Sequence, residues 1–370
     1  MRIAIVDPPA YTPPYDRSLA AGLARAGGDV ELMTSHFVHG PVPPADGYRV
    51  TDAFYRRSAE RIDMRGRRAV KGAEHVGDML RFRRGLDTDV VHYQWLTFPG
   101  LDSFLLPSTR PRVLTPHGWL RREAWHGRAA RGIRRLLGRM DALVALSEYG
   151  AAMLRDEAGI APARVRVIPH GAFDYLTRLP DEAPLPDELA RVEGPVVLFF
   201  GLIRPYKGVD VLLEAFAGVE GAELWIVGRP LGMEMEPLVE LAKRAPGRVR
   251  FVSRFVADNE LPAFFRRADV IALPYRDAEQ SGVLFTALAF GKPIVVTDVG
   301  GFGEVAATGA ARLVPPGDAG SLASAIGELL DDPPARARLA DAAAAAAAGP
   351  YSWDAVASAT LELYRELGAR

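Results

Sequence analysis

The run Val196-Val197-Leu198-Phe199-Phe200-Gly201-Leu202-Ile203-Arg204-Pro205-Tyr206-Lys207-Gly208-Val209-Asp210-Val211-Leu212-Leu213-Glu214-Ala215-Phe216 decides the fold. Its first five residues are apolar without a polar alternation, as in a strand buried on both faces. The last eight carry apolar residues at helical spacing, and a glycine-bounded loop joins the two. Strand, short loop and helix in that order are the unit of a parallel sheet with helices on its faces. The same alternation predicts further strands near 224–227, 249–252, 270–273 and 294–297, with helices over 261–267 and 283–290. Upstream it predicts strands near 3–7, 30–34, 90–93, 113–115, 143–146 and 165–168. Helices there are expected from a cap at Asp16 to Gly27-Gly28, through 121–138, and after Ser147.

At 370 residues, 49% hydrophobic and 25% charged, the chain exceeds the span of a single core. The proline-rich, acidic stretch 180–195 reads as a linker. The expected domains are 1–178, a linker at 179–194, and 195–350, each doubly wound, facing each other across a cleft. A final amphipathic helix, about 353–370, opens at Tyr351-Ser352-Trp353 and is expected to pack back on the first domain. The run Ala342 to Ala348 is merely helix-prone.

The formal net charge of -1 argues against nucleic acid as the main partner. Residues 1–177 nevertheless hold 26 Lys and Arg against 19 Asp and Glu, while the remainder holds 19 against 27. The first half is therefore the one suited to an anion or a membrane surface. Cysteine is absent, which excludes disulfides and thiolate metal sites and suits a reducing compartment. The apolar start, halted by Pro8-Pro9, is too short for a signal peptide, and no stretch is long enough to span a bilayer. The expectation is a cytoplasmic protein, with peripheral contact at the inner membrane face as an added expectation from the basic first half.

Ligands of open parallel sheets sit beyond the carboxyl ends of the strands, near helix N-termini. Two loops there carry chemistry. Arg204 and Lys207, following Gly201, offer a planar fork and a mobile point charge suited to a diphosphate; the plain alternative is a solvated loop. Glu279-Gln280-Ser281-Gly282-Val283 follows the strand at 270–273, with Ser281 as a helix cap and Gly282 exposing backbone amides to an anion. On the first domain, Pro8 to Asp16 is a stiff loop whose Tyr11 and Tyr15 suit stacking on a sugar face. Trp119 and Trp125 follow His117 and are read as acceptor-side aromatics or as packing. The basic stretches 56–84 and 121–139 are read as solvated faces or as contacts for an anionic acceptor or lipid head groups.

In order and spacing, 201–208, Phe255-Val256-Ala257-Asp258-Asn259-Glu260-Leu261, Gly291-Lys292-Pro293 and Gly300-Gly301-Phe302-Gly303-Glu304-Val305 resemble the motifs of family 4 glycosyltransferases of the GT-B fold. Gly27-Gly28-Asp29-Val30, Val90-Val91-His92, Thr115-Pro116-His117-Gly118, Pro169-His170-Gly171 and Ser352-Trp353 extend the resemblance over nearly the whole chain. The resemblance implies transfer of a hexosyl group from a nucleotide diphosphate sugar to a glycan, lipid-linked sugar or small molecule, with retention and without a metal or other cofactor. It implies that Arg204 and Lys207 neutralise the diphosphate and that the backbone at Phe255 and Val256 cradles the base. It places His117 facing the donor sugar, with the plain reading of a satisfied strand-end histidine beside it. His92 and His170 are read as structural. Glu304 is read as holding a ribose hydroxyl or as capping its own helix.

One departure stands out. Members with a Glu-x7-Glu pair would carry acids where this chain has Ala278 and Thr286. Glu279, one residue off register, is either a displaced substitute or a polar loop residue, and Gln280-Ser281-Gly282-Val283 resembles a subset lacking the acids. An epimerase or a catalytically silent relative of the same fold is the alternative. A nicotinamide dehydrogenase is disfavoured because Pro8-Pro9 stands where its glycine fingerprint belongs. Asp87-Thr88-Asp89 precedes its strand and reads as a turn rather than a metal site.

Overall fold

A computed structural model of the chain describes residues 1–38, 40, 42–59, 67–117 and 127–369, with 67–68 and 127–129 through their backbone alone. The chain forms two compact units, Met1–Gly171 with Trp353–Arg370, and Ala172–Ser352.

The first unit holds β1 (Arg2–Asp7), β2 (Asp29–Thr34), β3 (Arg49–Asp52), β4 (Val90–Tyr93), β5 (Arg112–Leu114), β6 (Ala142–Ala145) and β7 (Val165–Val167). They pair in the order β3-β2-β1-β4-β5-β6-β7, all parallel. The second unit holds β8 (Val196–Phe200), β9 (Glu223–Val227), β10 (Val249–Val252), β11 (Val270–Leu273), β12 (Ile294–Thr297) and β13 (Arg312–Val314). Their order is β10-β9-β8-β11-β12-β13, again all parallel. Central strands are buried on both faces: every residue of β4, β8 and β11 is buried, and β8 and β11 are apolar throughout. Strand order reverses between β1 and β4 in one sheet and between β8 and β11 in the other, which is where a crevice opens beyond the strand ends.

The predicted strands all form, within a residue or two at each end. Two that sequence missed are edges. In β3, Arg-Val-Thr-Asp has no fully buried residue, and β13 exposes Arg312 and Leu313, so neither shows the apolar run a central strand requires. The first helix spans Pro13–Arg25, earlier than expected, and Asp16 is not its cap. Asp16 lies in the first turn, fully buried, accepting from Thr12 Oγ1 at 3.2 Å. Proline suits a first helical turn because the missing N–H is unpaired there anyway. Ser147 does cap its helix, accepting from the Gly150 amide at 3.0 Å.

The passage between units falls at Gly171/Ala172 rather than near 178. Ala172 N donates to Tyr351 O at 2.7 Å, so the chain enters and leaves the second unit side by side. The stretch expected as a linker carries a helical turn, Asp187–Ala190, with Leu189 buried. It is tied to the second unit by Ala183 N to Asn259 O at 2.8 Å. The last helix, Trp353–Glu366, packs on Pro13–Arg25. Gly22 makes this approach feasible, since a Cβ there would lie 2.8 Å from Trp353 O. Gly171 does the same under the Trp353 ring, where a Cβ would fall 2.4 Å from a ring carbon.

Candidate active site

In the second unit the two chemistry-bearing loops follow β8 and β11, the neighbours on either side of the reversal. Glycines bring them into backbone contact. Gly208, at φ +67°, would place a Cβ 1.9 Å from Pro274 O. Gly228, at φ +145°, would meet Gly201 O at 1.9 Å, and Gly300, at φ +53°, would meet Ala278 O at 1.8 Å. No side chain fits at these positions, so each approach requires glycine.

Gly201 makes room for Lys207: a Cβ there would sit 3.1 Å from the lysine Nζ. Lys207 is buried and donates to Tyr275 Oη at 2.7 Å, which in turn lies 3.2 Å from Ser281 Oγ. One hydrogen-bonded line therefore joins the cation of the first loop to the helix start of the second. Arg204 is half-buried, and its Nε is withdrawn from solvent with no partner among the described residues. A buried guanidinium donor left unpaired is costly unless a ligand completes it. The loop is braced by Arg276, which sequence reasoning missed. Its guanidinium grips Asp210 at 2.7 and 2.6 Å, and its amide donates to Tyr206 O at 2.7 Å.

Ser281 occupies the N-cap position of helix Gly282–Ala289, but its hydroxyl turns to Tyr275 and caps nothing. The expected serine cap is thus corrected: the leading amides of Gly282 and Val283 remain open, the arrangement that favours an anion. Gln280 is half-buried beside them. Ala278 is buried, and Thr286 turns its hydroxyl back to Gly282 O at 2.9 Å, so neither stands in for an acid. Glu279 is largely withdrawn from solvent, and burial pushes its carboxyl up to about 8. It is therefore mostly protonated at neutral pH, the state compatible with a neighbouring diphosphate. Phe255 exposes half of its ring, whereas Val256 is buried. Arg254 donates to Phe255 O at 2.9 Å and pairs with Glu260, which fixes the loop. Glu304 lies half-buried in the first turn of Phe302–Ala306.

In the first unit, His117 is buried, with Nε2 2.9 Å from Gln94 Oε1 and its ring against Tyr15 and Trp95. Burial drives its imidazole down to about 3 and keeps it neutral. Tyr15 does not offer a stacking face. It is enclosed by His117, His170 and Trp353, and its phenol is driven upward by burial. Tyr11 does offer one, being 59% exposed and edge-on to Trp95 at 5.2 Å. Trp119 and Trp125, with residues 121–126 of the basic stretch 121–139 and 60–66 of the stretch 56–84, lie outside the described residues. His92 bridges Tyr364 Oη (2.6 Å) and Thr115 Oγ1 (2.8 Å), tying the last helix to the sheet, and His170 lies 2.7 Å from Gly171 O. Both are structural in geometry. Asp89 and Asp87 pair with Arg2 at the amino-terminal end of the sheet, at 2.9 and 2.6 Å, as a turn would.

Sequence also missed a buried acid pair. Asp7 accepts from the amides of Tyr11 (2.7 Å) and Thr12 (3.2 Å), next to Asp16. Burial, and then the charge of Asp7, hold the Asp16 carboxyl well above its usual range, so the pair keeps a proton.

Fold and site together define a two-domain parallel α/β protein with a cationic, amide-lined crevice at a strand-order reversal. Residues 16–172 match the model described as Glycosyltransferase Family 4, and residues 194–332 the one described as Glycosyl transferases group 1. A D-inositol 3-phosphate glycosyltransferase of Kineococcus radiotolerans is 30% identical over 95% of this chain and 89% of its own. The sucrose-phosphate synthase of Thermosynechococcus elongatus superimposes with a TM-score of 0.77 at 21% identity, covering 99% of both chains. The Anabaena protein HepE, solved with UDP-glucose, gives 0.73 at 20% identity, covering 99% of this chain and 100% of that one. The chain belongs to the family 4 glycosyltransferases of the GT-B fold. It is an enzyme that transfers sugars. Among the described residues, no helix is long and apolar enough to cross a membrane.

Proposed function

We infer that the chain transfers a hexosyl group from a nucleotide diphosphate sugar, gripped by the second unit, to a hydroxyl of an acceptor carried by the first. The observation that carries this reading is the line from Lys207 through Tyr275 to Ser281 at the uncapped start of Gly282–Ala289. Beside it Arg204 keeps a buried Nε without a partner among the described residues. These groups are preorganised donors for the two phosphates, and they act most strongly as charge grows on the departing nucleotide. HepE, a protein of the same fold, is solved with a donor of this class.

The reaction is read as retaining and metal-independent. The donor's own phosphate takes the acceptor proton while Lys207 and Arg204 supply the compensating charge. His117, held neutral, serves as a hydrogen-bonding group rather than a cation.

The test is a panel of UDP-, GDP- and other nucleotide sugars with candidate acceptors, read as nucleotide release with anomeric analysis of the product. Release that requires acceptor, persists in chelator and gives the donor's anomeric configuration fits the proposal. Strict dependence on a divalent ion, or an inverted product, contradicts the corresponding part.

A further inference from the structure

Gln94 follows β4 directly, and His117 lies just past the end of β5, the next strand in the sheet. Backbone bonds hold both places: Gln94 N donates to Val6 O and Thr115 N to Tyr93 O, each at 2.9 Å. The Gln94 side chain is buried, and its Oε1 lies 2.9 Å from His117 Nε2. A carbonyl oxygen can only accept, so the imidazole bears its proton on Nε2. Burial, reinforced by His170 and His92, drives the ring down to about 3, so Nδ1 takes no second proton at neutral pH. His92 and His170 are themselves kept neutral by burial. Nδ1 is left as a bare acceptor, without a partner among the described residues.

The ring does not depend on Gln94 to stay where it is. Trp95 lies over it with the two planes 18° apart, Tyr15 meets it edge-on at 4.7 Å, and His117 N donates to Thr115 O at 2.9 Å. Gln94 therefore decides where the proton sits and leaves the position of the ring to the aromatics.

A second observation shows that packing does not explain this residue. The other end of the Gln94 amide, Nε2, is buried with no partner among the described residues. A buried donor left unmade destabilises a fold, and an apolar side chain of the same length would avoid that penalty. What glutamine supplies here, and an apolar residue cannot, is the oxygen that faces His117.

The geometry points to Gln94 as a positioning residue that locks His117 in the Nε2–H tautomer, so that Nδ1 receives a hydrogen bond from a substrate hydroxyl. The inference rests on the role of His117 proposed above and deepens it, naming the ring atom that meets substrate, the polarity of the bond and the residue that sets both. A ring of the opposite tautomer presents an N–H where the lone pair should be and cannot take that bond.

The test is side-chain nitrogen NMR of protein labelled at histidine, with the His117 signals assigned by their loss in His117→Asn, combined with kcat and melting temperature for Gln94→Met and Gln94→Glu. Native His117 is expected as the neutral Nε2–H form throughout the neutral pH range. Gln94→Met keeps the length of the side chain and removes the oxygen. It should give mixed tautomers at His117 and about a tenfold lower kcat, with a melting temperature that holds or rises. Gln94→Glu restores an acceptor to Nε2 but sets a carboxylate beside the ring and raises its pKa. Its activity should recover as pH rises, along an acidic limb that the native profile lacks. A native Nδ1–H tautomer overturns the proposal, as does Gln94→Met turning over at the native rate. A kcat that falls only in step with the melting temperature, with the tautomer unchanged, also overturns it and marks a structural residue. UDP and GDP titrations of the same samples separate the two readings. Nucleotide binding with the wrong tautomer sinks this inference alone, whereas failure to bind nucleotide sinks the donor reading.

Discussion

Around the ends of β8 and β11, three glycines with positive φ let backbone segments touch, and the Lys207 ammonium reaches the space beside Gly201. Beyond β1, the equivalent loop is shaped by buried side chains: Asp7 with Asp16 beneath it, and Tyr55, His75 and Asp102 alongside. The sheets share a topology, yet one ligand end is made mostly of backbone and the other mostly of side-chain networks. A backbone-built site offers a fixed set of amides and cations to a constant group, a diphosphate. A side-chain-built site can be redrawn by substitution, which suits the variable partner in a reaction.

That contrast can be broken at several points. The largest effect is expected at Lys207→Ala, which removes a preorganised cation and should lower kcat roughly 10²- to 10³-fold in a nucleotide-release assay. Arg204→Ala should cost about 2–3 kcal/mol of interaction with the diphosphate, roughly 30- to 150-fold in kcat/KM, with an unchanged melting temperature. Gly208→Ala tests the backbone itself. The strained φ and the contact with Pro274 O predict a loss of about 1–3 kcal/mol in thermal unfolding, whereas Gly77→Ala in the helix Arg67–Gly85, with open space around it, should be neutral or stabilising.

In the first unit, Tyr364→Phe leaves His92 Nδ1 buried without its partner at 2.6 Å, and about 1–2 kcal/mol of stability should disappear with little change in nucleotide binding. The smallest effect is a pH dependence. Glu279, pushed up to about 8, is neutral below that pH and ionises above it, placing a negative charge near the diphosphate. Donor KM should therefore rise above pH 8, by at most ~10-fold per unit, and Glu279→Gln should flatten the profile. The same raised carboxyl contributes stability at acid pH that is lost as pH climbs through 8.

Legibility in the sequence followed the same division. β8, β11 and β12 and the helices Val209–Phe216 and Leu261–Arg267 lie where apolar periodicity puts them, because extensive burial leaves a local signature. Arg204 and Lys207 stand together in one short loop, so their proximity could be read. The buried hydrogen-bonded line through Tyr55, His75, Thr97 and Asp102 could not: the four come from separate places in the chain, and only the fold joins them. Tyr15 misled for a related reason. Its position beside exposed Tyr11 suggests a second stacking face, but one helical turn carries it under Trp353. Ser281 was placed correctly as the residue before a helix; which partner its hydroxyl takes depends on Tyr275, and no local pattern encodes that.

The most direct test of the central claim is calorimetric titration of UDP and GDP, against uridine and guanosine, into the native protein and into an Arg204→Ala, Lys207→Ala double variant. The account predicts that the diphosphates bind much more tightly than the nucleosides and that the double substitution erases the difference while the protein remains folded. A diphosphate preference that persists without the guanidinium and the ammonium, or nucleosides that bind as well as nucleotides, would contradict it.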